Sequence, residues 1–269
     1  MIVYFKNIFF IGLIYLSVSS AADEDIYITK APPYLTSCEI YKPEFTKCST
    51  NSIQKLFIEF AKGIPGLKVG KPIDPFFIKK LVYKQDNNQV ATITANLTNL
   101  VTKGFAKTIV KESKVSKKDF SWETTLLVPK LRIDGHYKME GKILVVPLQG
   151  NGEMFIECDD LTIKMHTKTR LYEKGGFTFY NVTGVRIDIS ISKLKTRFDN
   201  LFNGNKEIED STNEFFNENW RDLFEALRPV LIQTIEGVLL GQLQAYFHYV
   251  PANFFVSDIP TSKELYGKS

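Results

Sequence analysis

A long amphipathic pattern near the C-terminus constrains the fold of this chain more than any other feature. Apolar side chains recur at three- and four-residue spacing from Phe216 to Phe247. The opposite face is polar and comprises Glu218, Arg221, Asp222, Glu225, Arg228, Gln233, Glu236 and Gln244. This periodicity predicts a helix of about 38 residues, about 55 Å long, kinked at Pro229 and ended by Pro251. Ser211 and Glu214 match a capping box at its start.

Between Phe76 and Ser192 the apolar period changes to two, which predicts β-strands. Lys142 to Pro147 is predicted to be a short apolar strand. Gly150-Asn151-Gly152 and Lys174-Gly175-Gly176 are predicted hairpin turns, and strands joined by short turns form an antiparallel meander. A shorter helix is predicted from Ser49 or Thr50 to Lys62.

The order of these elements predicts an α+β fold in which a long C-terminal α-helix is wrapped by a highly curved antiparallel β-sheet. The wide apolar stripe of the helix needs a cover of matching length, and a curled sheet provides one. Side chains do not easily fill the space between a curved sheet and a single helix. We therefore expect an elongated hydrophobic tunnel, of the kind that holds a lipid. A lipocalin-type barrel fits less well, because it has no place for so long a C-terminal helix.

The N-terminus has the order of a secretory signal peptide. Lys6 precedes an apolar run from Ile8 to Val18, and small residues follow up to Ala22. The run is too short to span a bilayer, which takes about 20 apolar residues. We therefore predict a signal peptide at 1–22, a single lipid-binding domain at 23–260 and a flexible tail at 261–269, without stable membrane insertion.

The three cysteines and two sequons fit an extracellular chain. Cys38 and Cys48 are close enough to predict a disulfide, and Cys158 is predicted to be a buried free thiol. Asn96 and Asn181 each begin an Asn-x-Thr sequon, so both are candidate glycosylation sites.

Motifs that would indicate catalysis, a metal site or a cofactor are missing from the sequence. It contains neither Gly-x-Ser-x-Gly nor His-Glu-x-x-His, and its three histidines are scattered. Gly66 to Lys71 resembles a phosphate loop, but Pro65 and Pro72 occupy two required positions. We therefore expect no enzyme activity, no metal and no cofactor. The net charge of +4 is too small to indicate a nucleic-acid partner.

A basic series could contact a membrane. It consists of Lys103, Lys107, Lys111, Lys114 and Lys118. The series fits a solvated face, and it also fits transient contact with anionic lipid headgroups.

Several blocks of the chain resemble the takeout/juvenile-hormone-binding protein family of insects. They are Cys38…Cys48, Gly63-Ile64-Pro65-Gly66 with Asp74-Pro75-Phe76, Gly141…Leu144…Pro147…Gly150-x-Gly152, Lys195-x-Arg197-Phe198-Asp199-Asn200-Leu201-Phe202-Asn203-Gly204, and Asn217-Glu218-Asn219-Trp220-Arg221. The resemblance implies a fold related to lipid-binding domains of the bactericidal/permeability-increasing type. It is closer to the takeout branch, because Cys158 has no partner for a second disulfide.

The resemblance also implies a secreted, non-catalytic carrier of a small lipophilic ligand, either a juvenile-hormone-like terpenoid or a long-chain fatty acid. Delivery would involve transient contact with a membrane or a receptor. From strand parity and the helix stripe, we expect tunnel-facing side chains at Phe76, Trp122, Tyr137, Phe179, Trp220, Phe224, Leu227 and Leu231. The alternatives are a secreted hydrolase acting on lipids and an extracellular interaction protein without a ligand.

Overall fold

The computed structural model describes residues 27–64, 72–85, 91–143 and 146–267. The predicted signal peptide lies outside these ranges. The elements are α1 (Phe45–Lys62), β1 (Phe76–Gln85), β2 (Ala91–Lys103), β3 (Ile109–Val115), β4 (Trp122–Ile143), β5 (Val146–Lys174), β6 (Phe177–Ser190), β7 (Lys193–Phe198), α2 (Lys206–Glu218), α3 (Trp220–Tyr249) and α4 (Ser262–Tyr266). The predicted fold class is confirmed: the protein is α+β, with one large antiparallel sheet and a long helix toward the C-terminus.

Two very long strands form the centre of the sheet. β4 has 22 residues and β5 has 29, and they pair from Trp122–Thr167 to Ile143–Val146. The free side of β4 pairs with β2 and β3, and the free side of β5 pairs with β6 and β7. The sheet is open, because the strand order runs from β1 to β6 without pairing these two strands. Of the predicted strand from Lys142 to Pro147, Lys142 and Ile143 end β4, Val146 and Pro147 begin β5, and 144–145 lie outside the described residues.

The central strands change their buried face at Pro129 and Asp160, which lie between the pairs Val128–Leu161 and Lys130–Asp159. Buried positions of β4 are even-numbered up to Val128 and odd-numbered from Leu131. Proline lacks an N–H for the ladder, and Asp160 has a φ of 51°, so both strands bend here. One apolar cluster extends across this position, because Val128 and Leu131 both belong to it, and a second cluster begins at Ile133 and Ile156.

The Gly150-Asn151-Gly152 turn is a wrong prediction, because these residues lie inside β5. A Cβ on Gly150 would lie 2.5 Å from the Tyr137 hydroxyl, and a Cβ on Gly152 would lie 2.1 Å from the Asp199 carbonyl oxygen. Glycine is needed here for close approach and not for a turn. The turn at Lys174-Gly175-Gly176 is confirmed: Gly175 and Gly176 have φ of 56° and 82° between β5 and β6.

The predicted C-terminal helix is two helices. α2 begins at Lys206, where the Asn205 side chain accepts a hydrogen bond from the Ile208 N–H, so Ser211 and Glu214 lie inside α2. The helices separate at Asn219, whose backbone N–H and side-chain amide both donate to the Phe215 carbonyl, at 3.0 and 2.9 Å. α3 has 30 residues, about 45 Å, and it continues through Pro229.

The N-terminal helix is longer than predicted. α1 begins at Phe45, so Cys48 lies in its first turn. The predicted disulfide is confirmed, with an S–S distance of 2.04 Å between Cys38 and Cys48. It ties the segment before α1 to the helix.

Polar side chains of α3 bond to the backbone of the edge strand β6. Arg228 donates to the Ile189 carbonyl at 2.7 Å. Glu236 accepts from the Ile187 N–H at 3.0 Å, and Gln244 donates to the Val182 carbonyl at 2.9 Å. Three residues of the predicted polar face, Arg228, Glu236 and Gln244, therefore contact a strand edge. Helix polarity alone does not distinguish water from an exposed strand edge.

Two asparagines of α2 hydrogen-bond to the backbone of the neighbouring edge strand β7. Asn213 accepts from the Phe198 N–H and donates to the Phe198 carbonyl, at 2.8 and 2.9 Å. Asn217 makes the same pair of bonds to Thr196, at 2.8 and 2.9 Å. Residues four apart on a helix thus pair with residues two apart on a strand, and the amides replace a missing neighbouring strand.

At another edge of the sheet, side chains of α1 bond to the backbone at β3 in the same way. Gln54 donates to the Thr108 carbonyl and accepts from the Val110 N–H, at 3.0 and 2.8 Å. Thr50 accepts from the Ser113 N–H at 2.9 Å.

The segment after residue 260, predicted as a flexible tail, includes the short helix α4, which has a capping box at Thr261. The Ser262 N–H donates to Glu173 at 2.6 Å, and the Tyr266 hydroxyl accepts from the Leu171 N–H at 2.9 Å. The described part of this segment therefore packs against β5.

Candidate ligand-binding interior

The middle of α3 borders an apolar interior, and its side chains there are only partly buried. Leu223 is buried at one end of α3, and Tyr246 and Phe247 are buried at the other. None of the α3 residues from Phe224 to Ala245 is fully buried, over a length of about 33 Å. A helix that packs on a close-packed core buries its apolar stripe against the neighbouring elements.

The inner face of α3 is nevertheless directed toward the sheet. Its apolar side chains pack, partly buried, against the two clusters, and they are Phe224, Leu227, Ile232, Ile235, Leu239, Leu240 and Leu243. The opposite wall is a row of partly buried side chains of β4 and β5, namely Ile133, Ile156, Cys158, Ile163 and Met165. Apolar side chains thus face each other and keep accessible surface, as the lining of a binding site does.

Aromatic rings close the interior at the C-terminal end of α3. Phe247 lies 5.2 Å from Tyr180 and 5.4 Å from Phe255, between ring centroids. Trp122 lies 5.7 Å from Tyr180, and Phe60 lies 4.9 Å from Tyr246. Burial raises the pKa of the Tyr180 and Tyr246 hydroxyls far above their ordinary value, so both stay neutral. This end is therefore aromatic and uncharged, and it contains the buried hydroxyls of Tyr180 and Tyr246.

The opposite end is closed around Tyr137. This residue is fully buried, and its hydroxyl donates to the Asp199 carbonyl at 2.7 Å. Its ring lies 5.2 Å from Phe198, which lies 5.9 Å from Phe216 of α2. Burial, together with the negative charges of Glu209 and Asp199, raises the Tyr137 pKa.

Cys158 is the free thiol of the chain and lines the middle of this interior. It pairs with Leu131 on one side and Leu194 on the other. Burial and then the charge of Asp159 raise the pKa of its thiol to about 11. The thiol is therefore protonated at neutral pH and behaves as a small apolar group.

The structure places the predicted tunnel residues in different surroundings. Phe224 and Leu227 line the interior, and Trp122 and Tyr137 belong to the two closed ends. Trp220 is buried at the start of α3, with the Arg221 guanidinium 4.5 Å from its ring centroid. Leu231 is 38 % exposed, although it lies four residues from both Leu227 and Ile235 on the apolar stripe of α3, and Phe76 is half-buried at the start of β1.

Phe179 lies on the opposite face of the sheet. Its neighbour Tyr180 faces the interior, so Phe179 points away from α3. Its ring packs 5.4 Å from Tyr27 and 5.5 Å from Tyr172. Both faces of β6 are covered here, because the N-terminal segment at Tyr27 packs against the outer one. Alternation of apolar residues could not indicate which buried side faces the helix.

The sequence predictions missed the wall opposite α3. Ile156, Cys158, Ile163 and Met165 alternate along β5, and this alternation was the available signal. The interior positions of β5 are even-numbered before Asp160 and odd-numbered after it, so one alternating pattern does not include both pairs of residues.

The histidines and acids of the described residues do not converge on this interior. His136 contacts Glu153 at 3.0 Å and Asn151 at 2.8 Å on the outer face of the sheet. His166 lies 3.8 Å from Glu123. Among the described residues, no group of three histidine, cysteine or acidic side chains could hold a metal ion. In the same ranges, no helix is long and apolar enough to cross a membrane.

Comparison with known proteins gives a family and a fold. Residues 13–257 match the model of the haemolymph juvenile hormone binding protein family. The circadian clock-controlled protein daywake of Drosophila melanogaster is 26% identical over 239 residues, covering 83% of this chain and 87% of the relative. Daywake of Drosophila yakuba is 27% identical over 244 residues, with the same coverage.

A solved structure supports the architecture. The crystal structure of Epiphyas postvittana Takeout 1 matches with a TM-score of 0.73 at 19% identity, covering 83% of this chain and 99% of that chain. At this identity, the match speaks for the fold alone.

Proposed function

Because the chain belongs to the haemolymph juvenile hormone binding protein family, we propose that it is a secreted, non-catalytic carrier of one small lipophilic molecule. The family consists of proteins that bind lipophilic ligands. The cargo would be a juvenile-hormone-like terpenoid or a long-chain fatty acid, held between α3 and the central strands within a single domain at 23–260.

The observation that carries this proposal is the partly buried middle of α3. An elongated apolar ligand in this space would bury the exposed inner surfaces of the helix and of β4 and β5. Burial of apolar surface is worth about 25 cal/mol per Å². Ligand binding would therefore provide the packing that the side chains alone do not.

Secretion is supported by two features. The disulfide between Cys38 and Cys48 fits an oxidising compartment. Asn181 is exposed and Asn96 is half-exposed, so glycans at either position could reach solvent. We propose that the signal peptide at 1–22 is removed. N-terminal sequencing of protein from culture medium and a mobility shift after glycosidase treatment test these two points.

Native mass spectrometry of the secreted protein tests the carrier function. We expect one lipid per chain, released on denaturation and identified by its mass. If the protein is empty and takes up neither a fatty acid nor a juvenile-hormone analogue, the carrier proposal fails.

Alkylation of Cys158 tests where the ligand sits. We expect iodoacetamide to modify this thiol more slowly in the loaded protein than in the delipidated protein. The unfolded protein gives the reference rate. Equal rates with and without a bound ligand would place the ligand away from the central strands.

A further inference from the structure

Three segments of the chain converge at the outer end of α1. Asp74, just before β1, accepts hydrogen bonds from the Gly104 and Ala106 N–H groups at 3.1 and 2.7 Å. The Ile73 N–H donates to the Phe60 carbonyl of α1 at 3.1 Å. Together with the Gln54 bonds to the start of β3, these contacts hold α1, β1 and the Phe105–Lys107 turn against one another.

Large apolar side chains are exposed on this junction. Phe77 is 67 % exposed, Ile58 is 46 % exposed and Ile109 is 42 % exposed. Phe77 belongs to β1, Ile58 to α1 and Ile109 to β3, so the three come from different elements. They are separate side chains on a surface, and they do not form a groove that would hold another helix.

Exposed lysines stand among these apolar side chains. Lys103 ends β2, Lys107 ends the following turn, and Lys55 lies one turn before Ile58. Lys55 contacts the Thr36 hydroxyl at 3.4 Å. In the ranges that the structure describes, no carboxylate lies within ion-pair distance of Lys103 or Lys107. The nearby carboxylate of Asp74 is occupied by two backbone N–H groups.

We propose that this basic–apolar patch (Lys55, Ile58, Phe77, Lys103, Lys107 and Ile109) docks the protein reversibly on anionic phospholipid membranes. Lysines near a membrane are attracted by the negative surface potential, and exposed apolar side chains can enter the headgroup region. The purpose of docking rests on the proposed function, since a lipophilic cargo must be collected or released where lipid is present. The docking itself depends only on the surface.

Sedimentation with vesicles tests this proposal. The full secreted chain is mixed with vesicles of phosphatidylcholine alone and with vesicles that also contain phosphatidylserine. We expect binding to the acidic vesicles only, weakening as salt is raised. Replacing Lys103 and Lys107 by glutamine should lower the partition constant about 25-fold, since each lysine contributes about fivefold.

Two further variants make the test specific. Ile58→Ser with Phe77→Ser should also weaken binding without changing the net charge. Lys164→Gln with Lys193→Gln removes the same charge from exposed sites on β5 and β7 and should leave binding near that of the native chain. Thermal unfolding of each variant shows whether it is folded.

Several outcomes would overturn the proposal. One is a native chain that does not bind acidic vesicles, and another is a Lys103/Lys107 variant that binds as well as the native chain. The third is a Lys164/Lys193 control that loses as much vesicle affinity as the Lys103/Lys107 variant. Retention on an immobilised acidic protein but not on vesicles would assign the patch to a protein partner instead. Uptake of a fluorescent fatty acid, measured on the same proteins, reports the interior separately, so failed docking is distinguishable from a failed carrier function.

Discussion

At the scale of single residues, two glycines without a Cβ allow β5 to pack closely against its neighbours. Gly150 passes beneath the Tyr137 hydroxyl, and Gly152 passes against the Asp199 carbonyl. Glycines in a strand commonly mark such close approach. The Gly150-x-Gly152 motif is visible in the sequence, but it fits both a turn and a close contact. Only the residues that pack against it, Tyr137 and Asp199, distinguish the two.

We predict that Gly152→Ala destabilises the protein. The new Cβ would meet the Asp199 carbonyl oxygen, a backbone atom that cannot swing away, at 2.1 Å. Overpacking of this kind costs about 1–3 kcal/mol. Gly184→Ala is the matched control, because nothing lies within 4 Å of a Cβ at that strand position. Equal unfolding midpoints in urea for the two variants would contradict the prediction.

We also predict that Leu227→Trp lowers ligand affinity more than stability. Leu227 is partly buried against the interior, so a larger ring there would occupy ligand space. Gln233→Trp serves as control, since Gln233 is exposed on the opposite side of the same helix. Titration with a fluorescent fatty acid measures the affinity of both. Unchanged binding by the Leu227 variant would count against a site beside α3.

At the scale of elements, helices complete the hydrogen bonding of strand edges. Side chains of α2 bond to the backbone of β7, side chains of α3 bond to that of β6, and side chains of α1 bond to that of β3. The strands near β2, β5 and β6 and the existence of the helices were predictable from periodicity. The lengths of β4 and β5 were not predictable from periodicity. Pro129 and Asp160 suggest strand ends when the sequence is read alone, but the paired strands continue through both residues.

Glu236 gives an element-scale prediction. Its side chain accepts from the Ile187 N–H and from Arg186, so alanine would leave a strand N–H without its acceptor. We expect Glu236→Ala to reduce the free energy of unfolding by about 1–3 kcal/mol. Glu236→Gln keeps an acceptor oxygen and should lose less. Gln233→Ala, at an exposed α3 position, is the control; a loss as large as that of Glu236→Ala would refute the role of the edge contact.

The junction of α2 with β7 predicts a dependence on pH. Hydrogen bonding to Lys206, with help from Arg197, lowers the pKa of the buried Glu209 carboxyl. A depressed folded pKa stabilises the protein above the unfolded value, which is about 4.3. That stability is lost as the pH falls through the folded pKa, so unfolding should become easier below about pH 4. Urea unfolding of Glu209→Gln should show a shallower acid slope, and an unchanged slope would exclude Glu209.

At the scale of the whole molecule, α3 is buried at its two ends and only partly buried in its middle. The fold class and the family resemblance could be predicted from the sequence, since the final Asn217 to Arg221 block and the long helix are strong signals. The boundary between the two clusters could not, because it depends on which side chains of the sheet and the helices meet in the folded chain.

Filling the middle should raise the thermal stability. A ligand present at a hundred times its Kd stabilises the folded state by about 2.7 kcal/mol. For a domain of this size, that corresponds to a rise in Tm of roughly 5–10 °C. Differential scanning calorimetry of delipidated and reloaded protein measures the shift. A ligand that binds but leaves Tm unchanged would argue against a site formed only on folding.

The helix-bonded strand edges also bear on self-association. A sheet edge with unsatisfied N–H and C=O groups can recruit a strand from another molecule and start a polymer. Where β3, β6 and β7 are occupied by side chains of α1, α2 and α3, an incoming strand would first have to displace a helix. Among the described strands, β1 is the edge without such helix bonds, and its exposed Lys79 and Lys80 disfavour stacking of like copies. Helix amides and carboxylates would thus help the protein to remain dispersed at high concentration.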